Sequence, residues 1–164
     1  MSDDNAGASR RNLLGAGVLG ALAAGVFSGR AQAAEWTAAE AANVKVVNDF
    51  LHALAPKDMS KQATFLAPDV TYRMTETSPQ DKGYDAILAR LKPYIDNAEK
   101  IEFEILATYA AGPIVINHRI DRFTSSVRPL TFEGVGVFFL KNGKIQDWTD
   151  YTIRAALANQ FPAA

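Results

Sequence analysis

Apolar residues recur at helical spacing in three stretches of the first two thirds of the chain. The first helix is predicted to start at a capping box formed by Thr37 and Glu40 and to end at Pro56. A short second helix is predicted over residues 58 to about 66. The third is predicted over residues 84 to about 97, where Pro93 is expected to introduce a kink.

Alternating apolar and polar residues predict five strands, of which the last four follow one another. The first strand covers residues 69–76, and the others cover 100–109, 113–123, 128–140 and 144–153. Asn142-Gly143, between the last two strands, is typical of a two-residue hairpin turn. This order favours an α+β domain in which about three helices pack on one face of a curved, antiparallel or mixed sheet.

Two glycines, Gly134 and Gly136, interrupt the longest predicted strand. They lack the third glycine and the following helix of a nucleotide-binding loop. Glycines inside a strand more often mark a bulge or a sharp bend. We therefore predict that they allow the sheet to curl into a cone.

Composition and charge narrow the possible functions. The 164 residues include 17 basic and 18 acidic side chains, and the basic ones are scattered, so a nucleic-acid partner is not expected. The chain has no cysteine, which excludes disulfides and thiolate metal sites. Its two histidines are far apart in sequence, and no cofactor motif is present. We predict that the protein uses neither a metal nor a cofactor.

The first 33 residues are predicted to be a cleaved export signal. Arg10 and Arg11 precede an apolar run over residues 13–27, and Ala31-Gln32-Ala33 has the small-x-small form of a peptidase site. The paired arginines resemble a bacterial twin-arginine signal. Because the run is shorter than the roughly 20 residues that span a bilayer, a membrane anchor is the less favoured alternative. Residues 34–164 would then form one domain in the periplasm or outside the cell, without membrane contact.

Charged residues lie within the predicted strand 113–123. Asn117, Arg119, Asp121 and Phe123 share one face of it, and the pattern alone favours this face as the solvated side of a half-buried sheet. His118 lies on the opposite face between isoleucines, and we interpret it as a core histidine.

The last strand places a carboxylate beside an aromatic ring, because Trp148 and Asp150 share a face. A tryptophan is an unusual neighbour for a solvated carboxylate. If this face lies near the one that carries Arg119, Asp121 and Phe123, the two would enclose an apolar pocket with few polar groups. That mixture is typical of small-molecule sites.

Several motifs resemble those of the limonene-1,2-epoxide hydrolase family. These are RID at Arg119–Asp121 and WTDY at Trp148–Tyr151, together with the segments at residues 65–74, 83–87 and 136–145, all in the family's order. The resemblance covers nearly all of residues 34–164. It implies the cone-shaped α+β fold shared with ketosteroid isomerase, SnoaL-like proteins and nuclear transport factor 2, and it implies a homodimer.

The resemblance also implies a role for each of four residues. Asp150 would be the general base that takes a proton from water, and Asp121 the general acid that protonates the epoxide oxygen. Arg119 would bind both carboxylates, and Tyr72 would help to hold the water. Two carboxylates can divide these roles when their environments separate their pKa values.

One position departs from the family pattern. Met74 occupies the position of a family asparagine that also holds the water, and a thioether is at best a weak acceptor. Asn117 is a candidate substitute, because it shares a face with Arg119. The residues expected to line the substrate pocket are Met74, Trp148, Phe123 and Phe138.

Three functions are compatible with these residues. The leading hypothesis is a cofactor-independent hydrolase that opens a small apolar epoxide to a vicinal diol. The second is a proton-transfer enzyme like ketosteroid isomerases and SnoaL-like cyclases, which need not hold a water molecule. The third is a non-catalytic protein that binds a small hydrophobic molecule, since one fold supports many functions.

Overall fold

The computed structural model describes residues 35–155. The predicted export signal at residues 1–33 lies outside the described residues. The described elements are α1 (Ala38–Leu54), α2 (Met59–Ala63), β1 (Leu66–Arg73), β2 (Asp81–Lys82), α3 (Tyr84–Asn97), β3 (Lys100–Ala111), β4 (Ile114–Thr124), β5 (Leu130–Lys141) and β6 (Lys144–Ala155). None of the helices in this part of the chain is long and apolar enough to cross a bilayer.

The strands form one six-stranded sheet in the order β2-β1-β6-β5-β4-β3. Neighbouring strands are antiparallel, except that β1 runs parallel to β6. The prediction of an α+β fold with a curved, mixed sheet and three helices is confirmed. The short edge strand β2 was not predicted, because two residues carry too little alternation to be recognised.

Helix α1 begins at the predicted capping box. Thr37 N donates to Glu40 Oε2 at 2.8 Å, and Glu40 N donates to Thr37 Oγ1 at 3.3 Å. Glu40 Oε1 also accepts from Gly112 N at 2.8 Å, in the turn between β3 and β4. The same carboxylate therefore caps the helix and ties it to the sheet, so that its apolar face, including Val47 and Phe50, is buried.

The boundary between α2 and β1 differs from the prediction. Helix α2 ends at Ala63, and β1 already begins at Leu66, where it pairs with Ile145 of β6. Phe65 O accepts from Ile145 N at 2.9 Å, so the chain has joined the sheet three residues before the predicted strand start. This parallel pairing links residues far apart in sequence and leaves no local signal. Helix α3 has the predicted bounds and continues through Pro93.

The turn and the glycine-containing strand follow the prediction. Asn142 and Gly143 adopt φ values of 52° and 69°, the left-handed conformation that this hairpin turn requires. The pairing of β5 with β6 shifts register between Glu133 and Gly134. This irregularity lies at the first of the two glycines, where a bulge or a sharp bend was expected.

The faces of β4 are opposite to those that the pattern favoured. Asn117 is fully buried and Arg119 is only 4% exposed, so the face predicted to be solvated lies in the interior. His118 lies on the other face with a side chain 33% exposed, and its Nε2 is 3.1 Å from Glu133 Oε1. The interpretation of His118 as a core residue was therefore wrong. Alternation identifies two faces, but it cannot tell which one is covered when the interior charges bind one another.

Candidate active site

Arg119 of β4 joins two carboxylates in the interior. Its Nε donates to Asp121 Oδ1 at 2.8 Å and to Oδ2 at 3.1 Å, and its Nη2 donates to Asp150 Oδ1 at 2.7 Å. The side chains of Asp121 and Asp150 are 16% and 18% exposed. A guanidinium presents several donors in a fixed plane, which allows it to bind two carboxylates at once. The structure thus brings together the three charged residues that the sequence indicated.

The guanidinium crosses β5 at a glycine. Gly136 pairs with Asn117 on β4 and with Asp150 on β6, so it lies between the two strands that carry the charges. A Cβ atom at Gly136 would overlap Arg119 Nη1 and would lie 2.8 Å from Phe138 Cε2. The absence of a side chain at Gly136 therefore allows Arg119 to reach across the sheet. This role of Gly136 was not predicted, and the signal that could have indicated it is the strand register on both sides of β5.

Asp150 accepts two further hydrogen bonds at the same point. Trp148 Nε1 donates to its Oδ1 at 2.9 Å, and Tyr72 Oη donates to its Oδ2 at 3.2 Å. Together with Arg119 they give the carboxylate three hydrogen-bond donors. Trp148 was expected only in the pocket wall, and its role as a donor was not predicted. Its place on the same face as Asp150 was the available signal.

The pKa values of three groups in the cluster are shifted from their ordinary values. Burial raises the pKa of Asp121 from its ordinary value of 3.8 to about 6, with a further increase from the charge of Asp150 and an opposing effect of Arg119. Burial also raises the pKa of Tyr72 well above its ordinary value, so its hydroxyl stays protonated. The pKa of Arg119 is lowered by burial, but the charges of Asp150 and Asp121 outweigh this and raise it overall. Asp121 is therefore a carboxyl that can hold a proton near pH 6.

These polar groups line one side of a small apolar cavity of about 100 Å³. Its other walls come from α1, α3 and the sheet, and include Leu51, Leu91, Phe103 and Phe132. Of the residues expected to line the pocket, Met74, Trp148 and Phe123 do so. The site is thus an apolar chamber with one arginine, two carboxylates, a phenol and an indole nitrogen.

Two expected pocket contacts are absent from the cavity lining. Phe138 is fully buried, and its ring stacks on Trp148 with centroids 5.7 Å apart, so it supports the wall from behind. Asn117 is also fully buried, and its Nδ2 donates to Thr108 Oγ1 at 2.9 Å. It therefore cannot replace the family asparagine at the cavity.

No metal centre is evident in residues 35–155. Across this range, no cluster of three or more histidine, cysteine, aspartate or glutamate side chains is placed to hold an ion. The two carboxylates of the cavity are bound by the arginine.

Solved structures with the same fold include proteins that are described as enzymes. An epoxide hydrolase of Mycobacterium tuberculosis, described as limonene-epoxide-hydrolase-like, is 24% identical, with a TM-score of 0.61 over 69% of this chain and 84% of that one. A protein described as a SnoaL-like polyketide cyclase from Jannaschia sp. CCS1 is 12% identical, with a TM-score of 0.64 over 73% and 90%. One described as a ketosteroid isomerase from Kribbella flavida is 20% identical, with a TM-score of 0.58 over 76% and 93%. At these sequence identities the similarity shows that the chains share a fold and nothing beyond it.

The sequence itself decides the family. A search of curated proteins finds no match. The family model of the SnoaL-like domain matches residues 47–148, which run from the second half of α1 into the first half of β6. The predicted relationship to SnoaL-like proteins is confirmed. The chain belongs to the SnoaL-like domain family.

Proposed function

We propose that this protein is a cofactor-independent hydrolase that opens a small apolar epoxide to a vicinal diol. The observation that carries the proposal is the bridge from Arg119 to both Asp121 and Asp150 at the side of an apolar cavity. Opening an epoxide in one step needs a proton donor at the oxygen and a base at the attacking water. Two carboxylates in different environments can supply both.

In the proposed reaction Asp150 accepts a proton from a water molecule as the water oxygen attacks an epoxide carbon. The carbon–oxygen bond breaks, and Asp121 gives its proton to the departing oxygen, so the product is a neutral diol. Asp150 ends protonated and Asp121 ionised, and proton exchange with solvent restores the starting state. Such acid–base catalysis contributes about 10²- to 10⁴-fold.

The attacking water has few polar partners in this cavity. Besides Asp150, the Tyr72 oxygen is available to accept from it, because the hydroxyl proton is directed at Asp150. Met74 lines the cavity where the related hydrolases are expected to have an asparagine. This feature favours a second candidate, proton transfer. In that reaction Asp150 would remove a carbon-bound proton, and protonated Asp121 would hydrogen-bond the resulting enolate oxygen.

Isotope labelling distinguishes these candidates. The purified protein is incubated with cyclic and terpene epoxides in ¹⁸O-labelled water, and separately with cyclic ketones in deuterated water. We expect a vicinal diol that carries one labelled oxygen. Deuterium incorporation into the ketone without diol formation would support the proton-transfer candidate instead. Tight binding of apolar ligands without turnover in either assay would indicate a binding protein.

The pH dependence of hydrolysis tests the role of Asp121. Because the acid must be protonated and its pKa is raised to about 6, kcat/KM is expected to fall about tenfold per pH unit above that value. Lowering the pH towards 6 restores the protonated form. The measurement is the rate of diol formation between about pH 5 and pH 8.5. Asp121→Asn is expected to be far slower and to lack this decline, whereas a flat profile of the unmodified protein would contradict the assignment.

A further inference from the structure

A second and larger cavity adjoins the apolar chamber. It is a groove of about 940 Å³ between the C-terminal half of α3 and the loop that joins β4 to β5. Four residues line both spaces, namely Met74, Tyr94, Phe123 and Phe132, and we call them the neck. The chamber and the groove are therefore adjacent, and the side chains of the neck lie between them.

The groove differs from the chamber in polarity. Its charged members are Arg90, Asp96, Glu99 and Arg128. Arg90 donates to both oxygens of Asp81, at 2.8 Å and 3.1 Å, and Asp96 accepts from Lys92 at 2.5 Å. Glu99 Oε1 accepts from Ser126 N at 2.9 Å. Within residues 35–155, no acidic side chain forms an ion pair with Arg128.

The loop that carries Arg128 is held against the end of α3. Glu99 N donates to Thr124 O at 2.7 Å, and the Glu99 carboxylate accepts from Ser126 in return. Ser125 Oγ accepts from Val127 N and from Arg128 N, each at 3.3 Å. These bonds fix the backbone on the groove wall, so the Arg128 guanidinium is a positive charge at a defined edge of the groove.

We propose that the groove is an outer subsite that binds an anionic extension of the substrate, and that Arg128 pairs with its charged group. The inference rests on the proposed function for the identity of the reacting end, which occupies the chamber. The substrate class is then an amphiphile with a slim apolar end that carries the epoxide and a longer chain that ends in a carboxylate. Contacts remote from the reacting atoms supply binding energy without taking part in the chemistry.

A binding experiment tests the subsite without turnover. The probes are 4-cyclohexylbutanoate and its neutral amide, titrated by calorimetry against the purified protein at low salt. We expect the carboxylate to bind about threefold more tightly, as an exposed ion pair allows. This preference should disappear in Arg128→Gln and weaken at about 0.5 M salt, where the screening length shortens. Equal affinities for the two probes in the unmodified protein would overturn the proposal.

The control variant is Lys141→Gln, which removes the same charge at the far end of β5, away from the groove. It is expected to keep the preference for the carboxylate. If Lys141→Gln abolished the preference as fully as Arg128→Gln, the effect would come from net charge, and the subsite would be refuted. A preference that survives in Arg128→Gln would also refute it, because the carboxylate would then be bound elsewhere.

A kinetic experiment extends the test to hydrolysis. The substrates are an epoxycyclohexane with a butanoate chain and the same compound with a butanamide chain. In Arg128→Gln we expect a KM about threefold higher for the butanoate, with kcat and the butanamide kinetics unchanged. If neither compound is hydrolysed, the proposed function fails, and the calorimetric preference alone decides on the subsite. A fall in kcat for both compounds would contradict a role confined to the outer subsite.

Discussion

Replacing Asp150 with asparagine is expected to lower kcat/KM for epoxide opening by about 10²- to 10⁴-fold. Asparagine has nearly the same size and keeps a carbonyl oxygen that can accept from Trp148 Nε1. It cannot, however, accept a proton from water. The loss should therefore fall on catalysis, while the free energy of unfolding changes little by comparison. The measurement is the initial rate of diol formation together with a thermal melt.

The matched control is Asp147→Asn on the same strand. Asp147 lies on the opposite face of β6, outside the cavity lining, where its carboxylate accepts from Thr71 Oγ1. We expect this variant to retain nearly full activity. If Asp150→Asn remained as active as Asp147→Asn, Asp150 would not be the base.

Replacing Arg119 with methionine is expected to lower the free energy of unfolding by about 3–5 kcal/mol near pH 7. Methionine fills similar volume but leaves Asp121 and Asp150 without the cation that both now bind. Diol formation should be lost as well. The destabilisation should shrink as the pH falls towards about 6, because without Arg119 to lower its pKa the Asp121 carboxyl takes up a proton at higher pH and then needs no cation. Urea unfolding at several pH values measures both effects.

Arg122→Met provides the comparison for this variant. Arg122 Nη2 lies 2.6 Å from Glu104 Oε2 in a pair whose side chains are 40% and 51% exposed. Because this pair is exposed, removing the Arg122 side chain should lower the free energy of unfolding by no more than about 1 kcal/mol. A loss of stability in Arg119→Met no larger than this, or one that is independent of pH, would contradict a structural role for the buried bridge.

The elements of this fold were largely visible in the sequence because their signals are local. The capping box, the Asn142-Gly143 turn and the period of the apolar residues all depend on neighbours within a few positions. The parallel pairing of β1 with β6 depends on residues more than seventy positions apart, for example Tyr72 and Trp148. The displaced start of β1 follows from that difference, whereas β2 was missed because its two residues carry too little alternation.

The candidate site was predicted through motifs, not through the hydrophobic pattern. The hydrophobic pattern predicted that the face carrying Arg119 and Asp121 is exposed to solvent, because burying an isolated charge costs much free energy. The pattern contains no information about ion pairs, and here Arg119 forms ion pairs with both Asp121 and Asp150. The donor role of Trp148 likewise depends on side-chain geometry. Export and homodimer formation stay predictions.

Gly136 gives a criterion for sorting related sequences. A Cβ atom at Gly136 would overlap Arg119 Nη1. The ion pairs of Arg119 with Asp121 and Asp150 therefore require that the middle one of three adjacent strands has a glycine at this register position. A family member with the Arg-x-Asp and Trp-x-Asp-Tyr motifs but a larger residue at this register position could not form the same bridge. The same requirement would apply to a design that transfers Arg119, Asp121 and Asp150 to another sheet: the strand between them would need a glycine at the corresponding position.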